Sequence, residues 1–188
     1  MKAVILAAGM GKRLGELTKD IPKALIGVGS RPLLNHTLDN IIKVGIKDVV
    51  IITGHMASKL KKLVSSLPNL NLDITYIHNE KYEVTNNIYS VFLAKEKLEN
   101  HNFILINSDV LFHPNILKNL INSEKRGAVL LIDFEAKLGE EEMKVRVSDG
   151  RIIEISKKIS PKNADGEYIG IAKIDKEVSQ DFFSAVEE

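Results

Sequence analysis

Lys2-Ala3-Val4-Ile5-Leu6-Ala7-Ala8-Gly9-Met10-Gly11-Lys12-Arg13-Leu14 decides the fold. Residues 2–7 form a short apolar run that stops at glycine, the pattern of a buried strand running into a turn. The glycines let a backbone approach a ligand closely and offer its N–H groups to a phosphate. Lys12 and Arg13 add cationic donors at the same place. A tight strand-to-helix connection would use the same glycines, so the loop alone leaves both readings open. It is not a P-loop, which would end in Gly-Lys-Ser/Thr. Nor is it a dinucleotide fingerprint, whose third glycine would fall elsewhere.

Working outward, strand-like runs alternate with helix-like segments. Leu33, Leu34, Leu38, Ile41 and Ile42 recur at helical spacing within 31–44, and Gly45 suits the C-terminal cap. Val49-Val50-Ile51-Ile52 reads as a second strand, 56–66 as a second helix and 72–77 as a third strand. Residues 86–98 read as a helix capped by Thr85 or Asn86. Phe103-Ile104-Leu105-Ile106 reads as a buried strand that ends at Asn107-Ser108-Asp109, and Pro114 opens a further helix. Such alternation predicts an α/β fold: a Rossmann-like mixed sheet, mostly parallel, with helices on both faces. After Gly127, short β-like runs at 128–133, 143–147, 151–156 and 168–174 predict an antiparallel or mixed addition.

Composition narrows the function. Twenty-six lysines and arginines face 25 acids across 188 residues, for a net charge of +1, and aromatics make up 5%. No basic block stands out, so nucleic acid is not an expected partner. Without cysteine, thiolate metal sites and cysteine nucleophiles are excluded. The longest apolar run is too short to span a bilayer, and the N-terminal run is too short for a signal peptide, so the expected location is cytoplasmic.

The full pattern from Leu6-Ala7-Ala8-Gly9 through Gly11, Arg13-Leu14 and Thr18 to Pro22-Lys23 resembles the signature of sugar-phosphate nucleotidyltransferases and their phosphocholine and inositol-phosphate cytidylyltransferase relatives. Glu16 departs from it, standing where many relatives have proline. The resemblance implies the nucleotide-diphospho-sugar transferase type of fold. It also implies that Leu6, Ala7, Ala8, Gly9, Gly11, Lys12 and Arg13 cradle the nucleotide. Arg13 would neutralise the β- and γ-phosphates and Lys23 would reach the reacting phosphates. Thr85-Asn86-Asn87-Ile88-Tyr89-Ser90 replaces the Gly-Thr-Ala stretch of the sugar enzymes and is similar to the cytidylyltransferase branch. With Asn79, residues Asn86, Asn87 and Ser90 would then serve nucleotide and acceptor, although an asparagine at a helix start is by itself only a cap.

Asp109 ends a buried strand, where ligands bind in open α/β sheets, and a hard carboxylate there suits Mg²⁺. The resemblance makes it the metal aspartate; a second metal aspartate, usual nearer the C-terminus of relatives, has no counterpart within these residues. The resemblance also places Lys157 on the acceptor phosphate, Glu142 and Lys144 beside the acceptor's alcohol portion, and Asp165, Gly166 and Glu167 on the pocket floor. Lysines on strands usually face solvent, and that reading stays open for both. Asp133 reads as structural. Met143 stands where a phosphocholine enzyme would carry an aromatic for the quaternary ammonium, which tilts the acceptor toward inositol 1-phosphate or an aminoethylphosphonate.

The expectation is therefore a single nucleotidyltransferase domain over 1–188, lacking the C-terminal part of relatives. It would transfer a nucleoside monophosphate, foremost CMP from CTP, to a small phosphorylated alcohol and release pyrophosphate. The alternatives are a sugar-1-phosphate nucleotidyltransferase using UTP or dTTP, and a non-catalytic nucleotide-binding domain of the same fold.

Overall fold

The computed structural model describes residues 1–68 and 70–187, with the side chains of Arg13 and Glu187 outside that description. Four parallel strands form its centre: β1 (Lys2–Ala7), β4 (Asp48–Thr53), β5 (Asp73–His78) and β6 (Phe103–Asn107). They lie in the order β5-β4-β1-β6, so β1 pairs with β4 on one side and β6 on the other. A small hairpin of β2 (Gly27–Val28) and β3 (Arg31–Pro32) precedes the first helix, α1 (Leu33–Lys43). The segments after Gly127 become β7 (Ala128–Asp133), β8 (Lys144–Ser148), β9 (Arg151–Ser156) and β10 (Gly166–Ile174), all joined to the same eight-stranded sheet. The mixed addition predicted from sequence is thus present, and β10 is antiparallel to β6, β7 and β8.

Alternation along the central strands explains the two layers of helices. Ala3, Ile5 and Ala7 of β1 and Ile104 and Ile106 of β6 point to one face. There they meet α1, α2 (Ala57–Ser66) and α5 (Pro114–Ile121) through Leu34, Leu38, Ile41, Leu60, Val64, Leu117 and Leu120. Val4, Phe103 and Leu105 point to the other face. They meet α3 (Asn87–Phe92), α4 (Lys95–Leu98) and α6 (Lys176–Glu187) through Val91, Leu98 and Phe183. The helix expected over 86–98 is broken: Ala94 leaves helical geometry at φ −93°, ψ 4°, and tight turns from Ala94 to Val91 and Lys97 to Ala94 join the pieces. Among the described residues no helix is long and apolar enough to cross a membrane.

One register positions the wall of the site. Ile171 of β10 pairs with Ile106 of β6, one residue short of that strand's end. Residues 166–169 therefore run past the carboxyl edge of the parallel sheet, where they pair with the end of β7 and the start of β8.

Candidate active site

The loop after β1 is held in shape by Thr18. Its hydroxyl donates to the carbonyls of Gly11 at 3.0 Å and Gly15 at 3.3 Å, and its side chain is 5% exposed. Gly11 has φ +66°, and a Cβ there would lie 3.0 Å from the Thr18 methyl and 3.3 Å from Cβ of Lys23. Only glycine takes that conformation freely in so tight a space. Among the described residues, the N–H groups of Gly9, Met10 and Gly11 donate to no protein acceptor. Ala7 and Ala8 are buried and Leu6 is half-buried, with the carbonyls of Leu6 and Ala8 accepting from Ser108 and His55. Lys12 is exposed; the side chain of Arg13, the expected partner of the outer phosphates, lies outside the described residues.

Lys23 sits below this loop and forms an ion pair with Asp109, 86 residues further on. Each keeps about a third of its side chain exposed, at 31% and 35%. Asp109 follows β6, the neighbour of β1, so loop, lysine and carboxylate meet at one edge. No group of three or more metal-ligating side chains occurs among the described residues. A lone partly exposed carboxylate fits an ion that draws most of its shell from phosphate oxygens and water.

The asparagine segment forms one flank. Asn86 accepts from the N–H of Tyr89 and caps α3, while Asn87 stands exposed at its first turn. A groove of about 520 Å³ runs beside them, lined by Glu83, Val84, Thr85, Asn86 and Tyr89. Two of the expected residues face inward. Asn79 is 1% exposed and donates to Thr85 and Ser90, each at 3.0 Å, while its oxygen accepts from Lys81. Ser90 is 3% exposed and bound up with Asn79. Both tie the 79–90 loop together from inside.

The wall beyond the sheet edge carries the acceptor candidates. Lys144 is fully buried, with its ammonium donating to the carbonyls of Gly139, Glu140 and Glu142 at 2.8–3.3 Å. It closes a loop from within. Glu142 closes the same loop: backbone N–H groups, its own and that of Gly139, hold its carboxylate below the usual range. Asp165 accepts from the N–H of Val147 and pins β8. Gly166 does permit a close approach, but to the protein itself, since a Cβ would lie 2.6 Å from the carbonyl oxygen of Asp133. Lys157 is exposed and pairs with Glu141 at 3.2 Å. Glu167 is half-buried; burial, then Glu142 and Asp133, raise its pKa against the opposing pull of Lys144.

Two supports escaped the sequence reading. A Cβ on Gly54 would lie 2.6 Å from the Ala8 carbonyl oxygen and 2.7 Å from Cβ of Tyr82, and the next residue, His55, stacks obliquely on Tyr82 at 5.8 Å. The Thr53-Gly54-His55 turn after a strand was the available signal. Gly170 lies at φ +82° in a bulge of β10, and a Cβ there would lie 2.6 Å from Nδ2 of Asn107.

A parallel sheet whose first loop offers unpaired N–H groups above a lysine–aspartate pair defines a phosphate-handling α/β protein. Comparison with known proteins makes that class specific. Residues 2–169 match the nucleotidyl transferase family model, and the chain belongs to that family, whose members are transferases. It is 39% identical over 129 residues to a CMP-5'-(3-aminopropyl)phosphonate synthase of Streptomyces rubellomurinus, covering 69% of this chain and 20% of that protein. It is 35% identical over 119 residues to a choline-phosphate cytidylyltransferase of Streptococcus pneumoniae, covering 63% and 49%. The matches thus span a fifth and about half of those relatives' lengths. The structure of an inositol-1-phosphate CTP transferase from T. maritima superposes with a TM-score of 0.80 at 28% identity, covering 95% of this chain and 72% of that one. Cytidylyltransferases are therefore among its homologues, and the chain shares its fold with the superposed CTP transferase.

Proposed function

We propose that the chain transfers CMP from CTP to a small phosphorylated alcohol or a phosphonate, and that one domain spanning 1–188 carries the nucleotide half of the site. The observation that carries this reading is the meeting of Gly11, Lys23 and Asp109 across almost a hundred residues of sequence. A phosphate or phosphonate oxygen of the acceptor attacks the α-phosphorus of the nucleotide. The bond from that phosphorus to the bridging oxygen breaks, and pyrophosphate leaves with the electron pair. No protein nucleophile is needed, so catalysis consists of positioning and neutralising charge.

The N–H groups of Gly9–Gly11 receive the phosphates, and Lys12 and Arg13, next in sequence, would supply cations. Lys23 lies next to the loop and supplies positive charge where it develops. Asp109 would hold a magnesium ion, which when bound neutralises the nucleotide phosphates. Lys157 is an exposed cation on the acceptor wall, and Asn86 and Asn87 would flank the nucleotide. Three homologues whose names specify CMP or CTP chemistry favour cytosine over other bases. Inositol 1-phosphate, phosphocholine and aminoethylphosphonate are the acceptor candidates.

The test is pyrophosphate release from CTP, UTP, dTTP and ATP, each with those three acceptors and glucose 1-phosphate. CTP with a polyol or amino-alcohol phosphate, or with the phosphonate, should give the highest kcat/KM. Preference for UTP or dTTP with glucose 1-phosphate would replace this reading by a sugar-nucleotide one. Nucleotide binding without any turnover would make the domain a binding module.

A further inference from the structure

Asn107 is the last residue of β6, placed between the nucleotide loop and the acceptor wall. It pairs with Leu6 of β1, two residues before Ala8, and Asp109 follows it by two. Strand alternation puts it on the face of Phe103 and Leu105, the face covered by α3. Across β10, one step past the Ile171–Ile106 pair, stands Gly170, which gives way to the asparagine amide by lacking a Cβ and bulging at φ +82°. Three other asparagines have partners in the protein: Asn40 donates to the Phe112 carbonyl, Asn79 donates to Thr85 and Ser90, and the Asn86 oxygen accepts from Tyr89. The Asn107 amide makes no hydrogen bond among the described residues, and it is half-buried without being sealed from solvent. A polar side chain at a strand end, given room by a glycine at positive φ and left without a partner among the described residues, is available to a ligand.

We propose that Asn107 contacts substrate, its amide hydrogen-bonding a hydroxyl at the seam between nucleotide and acceptor. This rests on the transfer reading above. An amide can both donate to and accept from a hydroxyl, and two hydroxyl sources reach a seam of that kind: the ribose of the nucleotide and a polyol acceptor.

The experiment uses Asn107→Leu, which keeps the size and removes the amide, and Gly170→Ala, which keeps the amide and crowds it. Each is compared with the parent chain using CTP against 2′-deoxy-CTP, and inositol 1-phosphate against phosphocholine. Melting temperature is followed in parallel. A lost neutral hydrogen bond should lower kcat/KM about fivefold to tenfold. If the ribose is the partner, that loss disappears with 2′-deoxy-CTP; if the polyol is, it disappears with phosphocholine. An equal loss with all four combinations, or no loss, overturns the proposal. Should the parent chain turn over none of them, the transfer reading fails. Calorimetric binding of the same four ligands to the parent and to Asn107→Leu then decides the question, and equal affinities overturn the contact.

Discussion

Lys23 shows how a single side chain can be poised before substrate arrives. The ion pair with Asp109 holds its ammonium at the mouth with about a third of the side chain exposed; in the proposed transfer, charge developing on the phosphates would find it already in place. Lys23→Ala should therefore lower kcat by roughly 100-fold while KM for the nucleotide changes far less, as steady-state kinetics would show. A raised KM at unchanged turnover would make Lys23 a ground-state anchor. Lys144 illustrates the opposite case. Its ammonium satisfies three carbonyls in a fully buried position, so Lys144→Met should destabilise by about 2–4 kcal/mol in chemical denaturation. In sequence Lys144 and Lys157 look alike, two lysines at strand ends. Only the pairing of β8 with β10 buries one and leaves the other exposed. Glu167 yields a pH-dependent prediction. Burial and the neighbouring carboxylates of Glu142 and Asp133 raise its folded pKa above the ordinary 4.5, outweighing Lys144. Its neutral form thus favours the fold below that value, and the benefit fades as pH rises through the raised pKa. Glu167→Gln should be more stable than the parent at neutral pH, with the gain vanishing on acidification below about 4.5 in thermal melts.

At the scale of elements, the nucleotide loop is as much a product of Thr18 as of its glycines. Removing the hydroxyl in Thr18→Val keeps the volume but takes a donor from the carbonyls of Gly11 and Gly15, leaving Gly11 only the Leu14 N–H among the described residues. At about 1 kcal/mol for the one shared hydroxyl proton, nucleotide affinity should fall about fivefold with only a modest drop in melting temperature. Titration calorimetry with CTP measures the first and a thermal melt the second; unchanged affinity would mean the loop keeps its shape unaided. The loop itself was legible in sequence because it is local: a strand, two glycines and cations in thirteen residues. So were the strands after Gly127. What could not be read was which asparagines face outward. Asn79 and Ser90 belong to the same motif as Asn86 and Asn87, yet they turn inward to satisfy each other. Nor does the sequence show that β10 overshoots β6, because a register is a relation between strands about seventy residues apart. Gly54 and Asn107 were missed for the same reason: each matters through a neighbour distant along the chain.

For the whole molecule, α6 closes the second core. Phe183 is fully buried and packs with Phe103 and Phe182 at centroid separations of 5.2–6.0 Å. Phe183→Ala should cost about 3–5 kcal/mol through lost burial and the cavity left behind, which for a domain of this size lowers the melting temperature by roughly 6–20 °C. Calorimetry checks it, and a shift of a degree or less would mean that α6 is not part of the cooperative unit. The central place of β1 has a consequence for biosynthesis. Its partner β6 begins roughly a hundred residues later in the chain, so one edge of β1 stays bare until that strand has been made. At about 5–20 residues per second of synthesis, the wait is on the order of 5–20 seconds. During that time Val4 and Ile5 belong to an apolar strand that is still missing a neighbour, and the nascent chain is a client for whatever chaperone reaches it first.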